Sequence, residues 1–369
     1  MQNKLLSFVI AGAAAVALCA CAADPAITTG KVPKFAVDPY WPKPLPGNAI
    51  LGQVAGIAVD SEDHVWIVHR PSTLLDDEKG AQLTPPATLC CTAPPSVLEF
   101  DSEGNLLRNW GGPGPGYDWP KSEHGIFVDR ANNVWLAGND NNDNQILKFT
   151  VDGKFIMQIG KAGPSEGSSS KTQLGRPAGI EIDEAAQELY VADGYGNHRV
   201  IVFDSRTGAF KRLWGAYGNS PSDAKVPAYD PKAPPSQQFG NPVHCARPSR
   251  DGLVYVCDRV NDRVQVFRKD GTFVKEFRVT PDTLQNGSVW DLVLSEDPQQ
   301  KFIFMADGAN GRVLVLLRDT GEILSVLGGP GRMAGQFRWV HNIAVDSKGN
   351  VYTTEVGFGR RAQKFRRIE

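Results

Sequence analysis

Charge of neither sign is in excess: 39 lysines and arginines stand against 41 aspartates and glutamates, a formal net charge of −2. So balanced a chain lacks the basic footprint that nucleic acid requires, and no block of like charge suggests an interaction tail. Long apolar runs are also missing. After residue 20, no stretch is long enough to span a bilayer. Cysteine, methionine and histidine are scarce, at six, four and six residues, so the positions they occupy carry information. Glycine and proline are abundant instead, at 38 and 26, too many for a helical protein. With 41 % hydrophobic residues disorder is excluded as well. The 369 residues read as one turn-rich globular chain with a large core.

The first segment, "MQNKLLSFVIAGAAAVALCACAADP", has a lysine, an apolar run of signal-peptide length, and then "LCAC" with small residues before Cys21. It resembles a bacterial lipoprotein lipobox. The expectation is a signal peptide over 1–20, lipidation of Cys21, a tether over 21–33, and an exported protein anchored in the cell envelope (periplasm or outer membrane). Membrane contact would then come only through the lipid.

The remainder is repetitive. "AGIAVDSEDHVWIVHR" from Ala55, "HGIFVDRANNVWLAGN" from His124 and "AGIEIDEAAQELYVAD" from Ala178 align directly. "HCARPSRDGLVYVCDR" from His244, "WDLVLSEDPQQKFIFMADG" from Trp290 and "HNIAVDSKGNVYTTEV" from His341 complete six units. Each unit alternates apolar residues, turns at Gly or Asn, and runs apolar again, which is a hairpin pattern. A third run ("NQILKF", "HRVIVF", "DRVQVF", "GRVLVL") and a fourth follow. Four short strands repeated six times predict an all-β, six-bladed β-propeller over 34–369, with blades starting near 51, 122, 176, 241, 287 and 338. The last unit stops after its third strand, at "RRAQKFRRIE", whereas "KFAVD" at 34–38 reads as an isolated strand. An N-terminal strand is therefore expected to complete the last blade and close the ring.

The alignment places Ala55, His124, Ala178, His244, Trp290 and His341 in one slot, at the start of each innermost strand. Histidine fills blades two, four and six. Alternate blades are related by a threefold rotation, so three imidazoles would converge on the axis. Three histidines with an open position suit catalytic zinc. His64 in a hairpin turn, His69 at a strand end and His198 in a turn read as surface or supporting residues.

Residues just after the second strand surround the same channel mouth. Arg70, Tyr195 and Arg259 fall there. Two guanidiniums suit a substrate carboxylate, and a tyrosine can move a proton. The alternative is that both arginines pair with blade aspartates such as Asp193 and Asp258.

"VADGYGNHRVIVF" resembles the NHL repeat, and the whole chain from residue 34 is similar to the propeller of peptidyl-α-hydroxyglycine α-amidating lyase. That resemblance implies zinc on His124, His244 and His341 ("SEHGIFVD", "PVHCA", "WVHNI"), a catalytic Tyr195 in "ADGYGN", and active-site Arg70 and Arg259. It implies cleavage of a peptidyl- or acyl-α-hydroxyglycine to an amide and glyoxylate, with a carboxylate-bearing small molecule or peptide as the partner. Two positions depart from the family. Its calcium-associated aspartate is Asn342 here and its neighbouring methionine is Trp339, which weighs against Ca²⁺. No copper monooxygenase domain precedes the propeller, so other small carbinolamides or 2-hydroxy acid derivatives are compatible substrates. The rival reading is a non-catalytic NHL propeller that binds a ligand or partner protein at its mouth.

Two excursions, 71–97 and 217–239, exceed ordinary connections. The first leaves from beside Arg70 and is expected either to cover the mouth or simply to pack. If Cys19 leaves with the signal and Cys21 takes the lipid, four cysteines allow three pairings. The hairpin arms favour Cys245 with Cys257, leaving Cys90 and Cys91 as a vicinal pair.

Overall fold

The structure is a computed structural model that describes residues 31–369. The expected signal peptide and Cys21 lie outside the described residues.

The ring begins with strand β1 (Phe35–Asp38). Blade one contains β2 (Gln53–Val59), β3 (Val65–Arg70), β4 (Val97–Phe100) and β5 (Leu106–Trp110). Blade two is β6 (Glu123–Val128), β7 (Asn133–Gly138), β8 (Gln145–Thr150) and β9 (Phe155–Gly160). Blade three is β10 (Gly179–Asp183), β11 (Glu188–Asp193), β12 (Arg199–Asp204) and β13 (Phe210–Trp214). Blade four is β14 (Val243–Pro248), β15 (Leu253–Asp258), β16 (Arg263–Arg268) and β17 (Phe273–Arg278). Blade five is β18 (Val289–Leu294), β19 (Phe302–Asp307), β20 (Arg312–Leu317) and β21 (Ile323–Leu327). Blade six holds β22 (Val340–Val345), β23 (Val351–Glu355) and β24 (Ala362–Arg367).

In blades one to five the strands lie in chain order, so each is an antiparallel meander. The sixth sheet is ordered β1-β24-β23-β22. Phe35 lies opposite Arg367 and Asp38 opposite Lys364, so the N-terminal strand covers what would be an open edge. The protein is thus a six-bladed β-propeller closed by strands from both chain ends.

The core is divided among the six junctions between neighbouring blades. Strand alternation decides which side chain goes where. Along β3, Val65 and Ile67 pack toward blade six with Ala344 and Tyr352. Trp66 and Val68 turn the other way, to Ile126 and Val128 of blade two. Along β15, Val254 and Val256 join the blade-three junction while Tyr255 and Cys257 join the blade-five junction. A middle strand is therefore covered on both faces, which is why "VWIV" and "LVYVC" read as nearly continuous apolar runs.

Both disulfides pair neighbours. Cys245 bonds Cys257 across the first hairpin of blade four, and Cys90 bonds Cys91 in the 71–97 excursion. That excursion is anchored from below by His69, which is fully buried and does not lie at the surface. The His69 Nδ1 accepts the Gly52 N–H, and its Nε2 reaches the Pro94 and Pro95 carbonyls. Burial lowers its pKa to about 4. Glu78, in the same excursion, holds Arg360 of blade six at 2.6 Å.

Candidate metal centre and active site

The histidine slot is shaped by a break in the ladder. In blades one, two, four, five and six the pairing of the first two strands shifts register across the slot residue. Such a bulge leaves one residue unpaired and re-aims its side chain. Ala55, His124, His244, Trp290 and His341 sit in these bulges. The sequence repeats disclose the slot, but the bulge that turns it toward the axis is visible only in the ladder.

His124, His244 and His341 converge with ring centroids 4.7 to 5.1 Å apart. One ring nitrogen from each lies within 4.8 Å of the other two. All three are buried. Their Nδ1 atoms share one pattern: each faces the backbone carbonyl of the slot residue in the next blade. His124 meets Ala178 O at 2.9 Å, His341 meets Ala55 O at 2.7 Å, and His244 meets Trp290 O. A carbonyl can only accept, so each Nδ1 carries the proton and each Nε2 presents its lone pair to the axis. Burial holds His124 and His244 well below their ordinary pKa, with the nearby His341 next in effect. Burial and then Arg70 bring His341 to about 3. Neutral imidazoles with fixed tautomers are the form that ligates a metal.

The slot carbonyls also demand close approach between blades. A Cβ on Gly56 would lie 2.4 Å from the His124 oxygen, and one on Gly179 would lie 2.7 Å from the His244 oxygen. Glycine is the residue that fits at these two places.

Tyr195 follows β11, and its hydroxyl lies 3.1 Å from both His124 Nε2 and His244 Nε2. Arg259 Nη1 donates to the same hydroxyl at 3.2 Å while its Nε donates to Asn286 O. The Arg259 guanidinium lies 4.1 Å from the Trp290 ring centroid. Arg70, at the end of β3, donates from Nε to Glu123 O, from Nη1 to Gln53 Oε1 and from Nη2 to Asn139 Oδ1. Burial lowers its pKa.

Neither arginine is neutralised by a blade aspartate. Asp193 pairs with Arg199 at 2.8 Å, and Asp258 with Arg263 at 2.7 Å. A third guanidinium, which the sequence reading passed over, stands beside these two: Arg176 lies 5.7 Å from the Tyr195 ring centroid. Its only mark in the sequence is its place two residues before the slot.

Below the histidines, Asn342 bridges His341 Nδ1 and Asp291. Arg247 binds both Asp291 oxygens, at 2.9 and 3.0 Å, and also Glu181. The carboxylates nearest Asn342 are thus already paired with an internal cation, and these residues do not fit a calcium site. Asp291 also lies close to Cys245 and Cys257, but those sulfurs are joined in a disulfide and are not metal ligands.

The NHL repeat model matches residues 174–203, within blade three. Peptidyl-glycine alpha-amidating monooxygenase B of Xenopus laevis is 26 % identical over 253 residues, covering 65 % of this chain and 25 % of that protein. A probable peptidyl-alpha-hydroxyglycine alpha-amidating lyase of Caenorhabditis elegans is 25 % identical over 222 residues, covering 59 % of this chain and 56 % of that protein. The chain is a distant homologue of the amidating proteins. This NHL propeller spans about a quarter of the length of the Xenopus protein. NHL repeat-containing protein 3 of Mus musculus is 25 % identical over 355 residues, 90 % of this chain and 84 % of that one. Among solved structures, a streptogramin B lyase matches at TM-score 0.52 with 12 % identity, over 90 % of this chain and 98 % of that one. That likeness is one of fold.

Proposed function

We propose that this protein is a zinc-dependent lyase that cleaves a peptidyl- or acyl-α-hydroxyglycine-type carbinolamide to an amide and glyoxylate. The observation that carries this reading is the set of three buried, neutral histidines whose Nε2 atoms share an axis with the Tyr195 hydroxyl. His124, His244 and His341 would hold the metal through Nε2. Bound there, zinc supplies Lewis-acid polarisation of a substrate oxygen.

The residues of the chain do the rest. The Tyr195 oxygen would take the proton of the substrate's hydroxyl. The oxygen's electron pair forms the carbonyl of glyoxylate, the carbon–nitrogen bond breaks, and its pair goes to nitrogen. Tyr195 then returns the proton to that nitrogen, giving the amide, so no redox partner is consumed. Arg259 orients the phenol oxygen, and the charges of Arg70 and Arg259 oppose the negative charge that develops. Neither has a carboxylate partner among the described residues. Glu123 and Asp143 act on Arg70 only from beyond ion-pair distance, and a site that keeps two buried guanidiniums without a directly paired carboxylate is suited to an anionic substrate.

The test uses protein purified without a histidine tag. Stoichiometric zinc and glyoxylate release from benzoyl-α-hydroxyglycine above the spontaneous rate support the lyase. Absence of both leaves a non-catalytic NHL propeller that binds a ligand or partner at its mouth. Export with lipid on Cys21 belongs to the same proposal, and the intact mass of the natively processed N-terminus tests it.

A further inference from the structure

Arg176 lies in blade three, two residues before the slot. Its backbone has φ of 59°, in the left-handed region where an arginine is disfavoured. The surroundings enforce this conformation. The Arg176 N–H donates to Asn144 Oδ1 at 2.7 Å, and its carbonyl accepts the Tyr195 N–H at 3.3 Å. Proteins keep such a residue where the neighbourhood over-determines it, and often at a ligand site.

The side chain is fixed at one end. Its Nε donates to Asn139 O at 2.9 Å, while the Asn139 side chain receives Arg70 Nη2. Arg70 and Arg176 are therefore registered on one residue, Asn139. The two differ in what they have left to offer. Arg70 has all three nitrogens committed to the protein, and Arg259 has its Nε and one Nη committed. Nη1 and Nη2 of Arg176 have no hydrogen-bond or ion-pair partner among the described residues. A carboxylate is best held by two parallel N–H groups from one guanidinium. Of the three arginines around Tyr195, Arg176 alone presents both terminal nitrogens.

We infer that Arg176 is the specificity-determining residue that takes the substrate's carboxylate, with Arg70 acting by its charge from a locked position. The inference rests on the lyase reading for the identity of the substrate and on geometry for the identity of the arginine. It makes the substrate class a small α-hydroxy acid derivative with a free carboxylate, and it excludes esters and amides of that acid.

The test compares wild type with Arg176→Gly and Arg176→Lys. Glycine is at ease at positive φ, so Arg176→Gly should melt no lower than wild type while lacking the guanidinium. With benzoyl-α-hydroxyglycine its KM should rise on the order of 10- to 100-fold, the factor a hydrogen bond to a charged group commonly carries, and more than kcat falls. The methyl ester should be a poor substrate of the wild type and no worse for the variant. Arg176→Lys, which keeps charge but loses the fork, should fall between. Benzoylglycine, which lacks the hydroxyl and cannot react, gives a second readout by calorimetric titration of the zinc-loaded protein. It should bind wild type and lose affinity by the same factor in Arg176→Gly, while benzoylglycinamide should be indifferent to the substitution. Unchanged KM and benzoylglycine affinity in Arg176→Gly would overturn the inference, as would a wild type that does not bind benzoylglycine at all. A wild type that binds it through Arg176 yet releases no glyoxylate would overturn the lyase reading and leave Arg176 as a carboxylate site.

Discussion

Residue by residue, the proposed function assigns metal holding and proton movement to different side chains. His124, His244 and His341 have Nδ1 tied to a neighbouring blade, so replacing any one with alanine takes away one proposed ligand without opening the core of its own blade. Each His→Ala variant is expected to lose most of its zinc, read by elemental analysis, and to melt within a few degrees of wild type. Tyr195 should behave differently. Tyr195→Phe keeps the three histidines, so zinc should stay, while kcat falls by roughly 10² to 10⁴, the usual contribution of a positioned acid or base. Full activity in Tyr195→Phe would assign the proton transfer to another group. The histidines were legible in the sequence because a repeat marks their slot six times. Arg176 was not, because what distinguishes it is that its Nη atoms have no partner among the described residues. That depends on where Asn139, Asn144 and Asp193 come to lie. For His69 the supporting reading holds and the surface one does not, since nothing at a strand end announces that the 71–97 excursion will fold over it.

At the scale of the element, the first hairpin of blade four carries the most constraint. β14 presents His244 from a bulge, and the very next residue, Cys245, is tied to Cys257 on β15. The bridge closes a short loop of separation 12, for which loop entropy suggests about 2 to 3 kcal/mol. Cys245→Ala with Cys257→Ala should lose about that much stability in chemical denaturation, and zinc affinity should drop because the bulge beside His244 is less constrained. An unchanged denaturation midpoint would show that strand pairing alone holds the hairpin. The strands themselves were readable from alternation and turn residues. Their bulges were not, since each lies at the start of its strand, where too few residues precede it for a shifted alternation to show.

At the scale of the whole molecule, closure is a property of two distant segments. β1 covers β24, and Phe35 packs edge-on against Phe304 of blade five at 5.4 Å. Phe35→Ala should therefore cost about 2 kcal/mol, at the low end for a large-to-small change because Phe35 is only partly buried. Removing the chain through Asp38 should do more, leaving β24 as an open edge that invites association. Melting curves and light scattering report the two effects separately. This closure was legible from a strand missing at one end of the sequence and a surplus strand at the other.

The rim of the mouth is less symmetrical than the ring beneath it. Arg176 in blade three and Trp339 in blade six occupy the same position relative to the slot, both with positive φ, at 59° and 62°. Three blades separate them, which is half a turn of the ring. Trp339 stands 5.8 Å from Trp290, so the wall opposite the guanidinium is aromatic. An α-hydroxyglycine carbon bears four different groups. If its hydroxyl lies at Tyr195 and its carboxylate at Arg176, as proposed above, the acylated nitrogen would face the aromatic wall in one mirror image only. In this reading the discrimination comes from the unlike sides of the rim, a guanidinium facing an aromatic wall. A racemic carbinolamide should therefore be consumed to one half and then stall, with the residue optically active by chiral chromatography.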